Sequence, residues 1–317
     1  MDLNRIVEPQ ERALSARAAL RSGSASVKKR PYPQGKSFTL HDIAVLLGRA
    51  SVLLTMLRSL SRTVSLIRRD APKLPKPMTP EDFRDFSDLC AALRIDAVGA
   101  LELGPQDIYA GAGVPYGSAI LVTIPMDPAA FAQAPSMEAQ LEVMRVYGET
   151  GTAVNELARF LRSRGYNAAP NHSMGGSIDY ARTGMKAGIG AMGRHGMLLT
   201  PGAGACHRSA AVYTDIPNLA EFLEPPGDHA WVADFCASCG ACVRSCPTRA
   251  IRDRALGDGR GNFSAVDYDK CCEGFKRYGC GVCISRCPFT KVSGYEKLKA
   301  AAERKRKEED HESRTAR

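Results

Sequence analysis

The sequence predicts a layered α/β (α+β) domain followed by a small cysteine-rich domain, and three observations carry that reading. Segments with helix and strand periodicity alternate between residues 79 and 215. A glycine-rich stretch runs from Ala187 to Gly196, and seven of the eleven cysteines fall into two spaced motifs between Cys236 and Cys287. At 317 residues, 44% of them hydrophobic, the chain has enough apolar content to bury a sizeable core.

The first stretch, residues 1–78, is a basic extension. Fifteen Lys and Arg stand against Asp2, Glu8, Glu11, Asp42 and Asp70 up to residue 79, so this region accounts for the chain's formal charge of +9 and leaves the rest near neutral. Its first 36 residues are poor in apolar pattern and are expected to be disordered. Ser37 to Arg69 then reads as an amphipathic helix or helix pair, with Ile43, Leu46, Leu47, Leu53, Leu54, Leu57, Leu60, Val64 and Ile67 at helical spacing. Arg49, Arg58 and Arg62 argue against a simple membrane span. A basic helix of this type is expected to pack on the next domain, with peripheral contact to a membrane as the sharper alternative.

A second domain is expected over 79–228. Thr79-Pro80-Glu81-Asp82 is a helix start, with a capping hydroxyl, proline in the first turn and acids behind it. A helix to about Leu93 follows, then strands near Ala97–Leu103 and Ala119–Ile124, helices across Ser136–Arg164, and strands at Gly196–Thr200 and Ser209–Thr214. Such alternation predicts helices covering a sheet. Gly188-x-Gly190-x-x-Gly193 resembles a dinucleotide fingerprint only superficially, because it follows a helix instead of a strand. Its glycines permit unusual backbone conformations and close approach of a flat ligand.

The third domain is expected over 229–292, with a charged tail over 293–317. Cys236, Cys239, Cys242, Cys246 and Pro247 form C-x2-C-x2-C-x3-C-P, answered by Cys280, Cys283, Cys287 and Pro288. That is the bacterial ferredoxin spacing for two [4Fe-4S] clusters, in which the last cysteine of each run crosses to the other cluster. Cys236, Cys239 and Cys242 should therefore share a cluster with Cys287, and Cys280 and Cys283 with Cys246 and either Cys271 or Cys272. Zinc ribbons and disulfides also use paired cysteines, but neither needs this rhythm ending twice in proline. Cys90, in an apolar helical stretch, reads as a core thiol.

With the glycine segment Ala187–Pro201, Arg208, the run Ala210–Asp215 and both cysteine motifs, the chain resembles the corrinoid-dependent reductive dehalogenases and epoxyqueuosine reductases over roughly residues 80–290. The resemblance implies a nitroreductase-like domain that holds cobalamin without a protein ligand on its lower face. It also implies iron–sulfur clusters that feed electrons to cobalt, and it places Gly188, Gly190, Gly193, Arg194, His195 and Gly196 along the corrinoid. Among the paired thiols it favours Cys271 over Cys272, since related proteins carry a lone cysteine there. Epoxyqueuosine reductases carry a proton-donating aspartate where this chain has His172, Ser173 and Met174, which points to a different, small-molecule substrate.

Reductive removal of a halide or oxygen needs two electrons, a proton and stabilisation of the leaving anion. Tyr180 and Tyr147 are the candidate proton donors, and Arg182, Lys186 and Arg194 the candidate anion stabilisers. His172, His195 and His207 are further polar candidates. An external donor such as ferredoxin or flavodoxin is expected, with no nucleic-acid partner. Cysteines that must stay reduced for cluster assembly, with no signal peptide and no long apolar run, point to the cytoplasm. The competing reading is a corrinoid-free electron carrier.

Overall fold

The computed structural model describes residues 3–32, 40–223, 227–257, 263–275, 279–291 and 293–315. The chain opens with helix α1 (Leu3–Ala16) and a short strand β1 (Leu20–Arg21), followed by helices α2 (Leu40–Gly48) and α3 (Ala50–Arg68). Helix α4 (Pro80–Ala92) leads into strand β2 (Ala97–Glu102), then β3 (Gly113–Val114), β4 (Ser118–Pro125) and the long helix α5 (Met137–Ser163). Strand β5 (Ala169–Asn171) and helix α6 (Tyr180–Lys186) precede a tight hairpin of β6 (Ala191–Met192) and β7 (Leu198–Leu199), after which comes β8 (His207–Thr214). The C-terminal part holds α7 (Trp231–Cys239), α8 (Ala241–Ser245), the paired strands β9 (Ile251–Gly257) and β10 (Phe263–Val266), α9 (Tyr268–Gly274), α10 (Val282–Ser285) and α11 (Gly294–Thr315).

Four strands form the central sheet in the order β2-β4-β8-β5, and every pair is antiparallel. Strand β4 explains why its sequence reads as an unbroken apolar run. Ala119 and Leu121 face one core with Ala211 and Tyr213, while Ile120 and Val122 face the other with Ala210 and Val212. A strand buried on both faces has no polar side to show. On the second face lie α4, through Phe86 and Cys90, and α5, through Val154, Leu157, Ala158 and Leu161. Helix α4 starts as expected: Thr79 Oγ1 accepts from Asp82 N at 3.1 Å, with Pro80 in the first turn.

The N-terminal segment corrects one expectation. Described residues among the first 36 are not disordered: α1 places Ala13 and Leu14 in the sheet core beside Ile67 of α3, and Val7 packs with Met56 and Met174. Helix α1 contains Pro9 and has no acidic residue in its first turn or basic residue in its last, but its apolar residues fall on one face, and burial of that face stabilises it. Residues 33–36 lie outside the described set. The expected helix pair at 37–69 is α2 and α3, broken at Arg49, and α3 lies along α5 with Met56, Ser59, Leu60, Thr63 and Ile67 buried. By length and composition α3 is, among the described residues, the one helix that qualifies to cross a membrane. The charged tail is helical in α11.

A third core joins the sheet domain to the cysteine-rich part. Ile124, Val146 and Leu199 pack there with Val232, Cys287, Phe289 and Tyr295. Trp231 completes an aromatic group, 5.2 Å from Tyr295 and 5.7 Å from Phe289 between ring centroids.

Candidate active site

Cys236 and Cys239 are one turn apart on α7, which stops at Gly240 in a left-handed conformation (φ 58°); α8 then begins and carries Cys242. Cys287 comes from the far side, just before the turn that begins at Pro288. These four thiols line one small cavity together with Arg194, His195, Phe235 and Phe289. Cys246 at the end of α8, Cys271 on α9, and Cys280 and Cys283 on either side of Gly281 (φ 70°) line a second, larger cavity. The structure thus gathers the cysteines in the crossed sets that their spacing predicts. Cys272 faces away from the larger cavity's lining and lies beside the Tyr268 hydroxyl.

Burial pushes the thiols of Cys283 and Cys287 up to about 12, and that of Cys271 to about 11. Cys246 differs: burial raises it, but main-chain N–H donors, including Ala250 N at 3.2 Å, bring it below the ordinary thiol value. Buried thiolates of this kind need a compensating cationic centre. Among the described residues no three metal-binding side chains converge on a single ion. Thiols that surround a volume instead of a point suit a polynuclear cluster better than a mononuclear zinc site. Cys90 and Cys206 are core thiols, buried and both pushed up to about 12 by that burial.

The larger cavity encloses about 330 Å³. Facing its thiols are Tyr147 and Val143 of α5, Arg208 of β8, His195 and Met197 of the hairpin, and Leu3 and Tyr32 of the N-terminal segment. Arg208 Cζ sits 5.3 Å from the centre of the Tyr147 ring, within cation–π range. Its Nε is buried with no partner among the described residues. Asn4 holds the Tyr32 backbone from both sides, accepting from Tyr32 N at 2.7 Å and donating to Tyr32 O at 3.1 Å. The Tyr32 hydroxyl accepts from Gly175 N at 3.2 Å, and burial drives its pKa far upward.

Other expected site residues lie elsewhere. The Tyr180 hydroxyl accepts from Asn171 Nδ2 at 2.7 Å under the sheet and does not line either cavity. Lys186 pairs with the buried Asp107. Arg182, whose main-chain N–H is capped by Asp179, is absent from both linings. His172 is fully engaged: Nδ1 accepts from Met174 N at 2.9 Å and Nε2 meets Ser59 Oγ at 3.0 Å. His207 Nδ1 bonds Gly204 O at 3.1 Å.

The glycine segment is the β6–β7 hairpin, and its glycines serve the chain's own packing. A Cβ on Gly190 would stand 2.1 Å from the Leu199 carbonyl oxygen, and one on Gly193 would stand 2.7 Å from His195 Cε1. Gly188 and Gly196 have φ of 72° and 76°, where glycine is favoured. What the hairpin presents to the cavities is Arg194, His195 and Met197. No local sequence signal marks Tyr32, which lies in a segment without apolar pattern. Arg208 was visible only as part of a family resemblance.

A family model described as a 4Fe-4S binding domain matches residues 229–252. A tetrachloroethene reductive dehalogenase from Sulfurospirillum multivorans is 34% identical over 146 residues, covering 43% of this chain and 28% of that relative. An epoxyqueuosine reductase from Cyclobacterium marinum is 30% identical over 125 residues, covering 37% of this chain and 38% of that protein. Among solved structures, a catabolic reductive dehalogenase in complex with 3-bromo-4-hydroxybenzoic acid superposes with a TM-score of 0.64 at 22% identity, over 79% of this chain and 38% of that one. The matched region spans about a third of the length of the curated relatives.

Proposed function

We propose, from the premise that this chain belongs to the iron–sulfur reductase superfamily of reductive dehalogenases and epoxyqueuosine reductases, that it is a cobalamin-dependent oxidoreductase cleaving a small organic substrate reductively. The observation that carries the proposal is the larger cavity, whose lining brings together one set of four thiols with Tyr147 and Arg208.

In this reading two [4Fe-4S] clusters are held by Cys236, Cys239, Cys242 and Cys287, and by Cys246, Cys271, Cys280 and Cys283. The mostly apolar cavity, with Arg208 Nε buried and unpartnered among the described residues, fits a large flat group with polar edges. A bound corrinoid would supply a strongly reducing centre for two-electron cleavage. Tyr147 holds the proton that the carbon receives, and Arg208 stabilises both the developing phenolate and the departing anion. The balance is two electrons and one proton in, and the reduced product and an anion out. Electrons reach the clusters from an external donor such as ferredoxin or flavodoxin. Exposed Leu40, Ile43, Leu47 and Leu54, flanked by exposed Arg49 and Arg58, support peripheral contact with an anionic membrane, which co-sedimentation with anionic vesicles tests.

The deciding experiment is the cobalt-to-iron ratio after anaerobic reconstitution with iron, sulfide and cobalamin, followed by gel filtration. About one cobalt per eight irons is expected for two cubane clusters and one corrinoid. Eight irons without cobalt would overturn the corrinoid and leave an electron carrier.

A further inference from the structure

We infer that His195 is a positioning residue for the first cluster: its Nε2–H donates a hydrogen bond to a sulfur of the group held by Cys236, Cys239, Cys242 and Cys287, and so raises that group's reduction potential. The inference rests on the reading that these thiols hold an iron–sulfur cluster.

Three features of the hairpin converge on it. His195 is 7% exposed and its Nδ1 accepts from Met197 N at 3.2 Å, which places the ring proton on Nε2. Nε2 is buried and has no partner among the described residues. A buried donor left without an acceptor is costly, and folded proteins keep few of them, so an acceptor outside the polypeptide is called for. The ring's position is also fixed from below, because Gly193 leaves room for it only by lacking a Cβ, which would lie 2.7 Å from Cε1.

The direction of that donor is set by its neighbours. His195 and Arg194 line the cavity of the four thiols, and the Arg194 main-chain N–H already donates to the Cys236 sulfur. The hairpin therefore brings two consecutive residues to the same sulfur-rich site, one through its backbone and one through its ring. Burial holds the imidazole neutral, lowering its pKa to about 4, so it offers one N–H and no charge. An N–H directed at cluster sulfur stabilises the more negative, reduced state, and hydrogen bonds to the sulfurs are among the factors that set cluster potentials. His195 also lines the larger cavity, so the alternative acceptor is the group bound there.

Iron and sulfide content of the reconstituted wild type checks the cluster reading by itself. Redox titration followed by EPR then compares wild type with His195→Phe and His195→Gln. In His195→Phe the reduction equilibrium of one cluster is expected to shift about tenfold toward the oxidised form, which is about 59 mV for a one-electron couple, while the other cluster keeps its midpoint. His195→Gln, which restores an N–H, recovers most of the shift. Pulsed EPR of the wild type carrying 15N-histidine should show an imidazole nitrogen coupled to one reduced cluster. That measurement decides the matter if His195→Phe fails to assemble. Unchanged midpoints, a labelled nitrogen coupled to no cluster, or coupling at cobalt instead would each overturn the inference while leaving the iron count intact.

Discussion

The guanidinium of Arg208 lies over the ring of Tyr147, 5.3 Å from its centre, and both residues line the larger cavity together with Cys246, Cys271, Cys280 and Cys283. The two residues come from β8 and α5, elements packed directly on one another, so the pair is held by the rigid part of the fold. The pair thus puts a phenolic proton and a cation side by side on the cavity lining.

Tyr147→Phe keeps the ring under Arg208 and removes only the proton. It should lower the rate of reductive cleavage by about 10²–10⁴-fold, the usual worth of a positioned general acid. Iron content and the visible spectrum should match wild type. Single-turnover assays with a chemically reduced enzyme make the comparison independent of the electron donor. A rate within a few-fold of wild type would remove Tyr147 from the chemistry.

The adjacent thiols Cys271 and Cys272 should behave oppositely. Cys271 lines the larger cavity, whereas Cys272 stays by the Tyr268 hydroxyl. Cys271→Ala is expected to lose one cluster's worth of iron, about four per chain, and Cys272→Ala to lose none. Iron and acid-labile sulfide analysis after anaerobic reconstitution distinguishes them, and the reverse pattern would give the ligand role to Cys272.

Gly190 is required by the hairpin itself. In Gly190→Ala the new methyl would stand 2.1 Å from the Leu199 carbonyl oxygen, and backbone cannot swing aside as a side chain can. Overpacking of this kind typically costs about 1–3 kcal/mol, so the melting temperature should fall. Exposed Gly117, whose Cβ would meet nothing within 4 Å, is the control, and Gly117→Ala should melt as wild type does.

That glycine segment shows how far the sequence could be read. Its position and its two polar residues were legible, but the purpose of its glycines was not, because Gly190 and Leu199 are brought together only by the turn between them. The cysteine crossover was legible for the opposite reason: fixed spacings of two and three residues leave little freedom in a short loop. Strands β2, β4 and β8 announced themselves through continuous apolar runs, yet their order did not, since register is set by partners far along the chain. Strand β5 was missed; it is three residues long and contains Pro170. Tyr32 was beyond reach, because the residues that seat it, Asn4 and Gly175, lie 28 and 143 positions away.

His172 makes stability depend on pH in a way that isolates one proton. It is completely buried, and desolvation lowers its pKa to about 3 from the ordinary 6.5. The ring rests on Gly151 of α5, where a Cβ would be 2.2 Å away, and both nitrogens are engaged, so the folded protein gives the charged form no place. Because the unfolded chain takes up this proton below about 6.5 and the folded chain does not, His172 costs no stability above that pH. It becomes progressively destabilising as pH falls toward about 3. One such proton is worth about 1.4 kcal/mol per pH unit across the interval. His172→Gln offers an amide N–H toward Ser59 and cannot titrate. Anaerobic denaturant titrations at pH 7, 6 and 5 should therefore show wild type losing stability more steeply than His172→Gln, by about half that amount between pH 7 and 6 and nearly all of it between pH 6 and 5. Equal slopes would mean that His172 is charged in the folded state or that its cavity opens to water before it titrates.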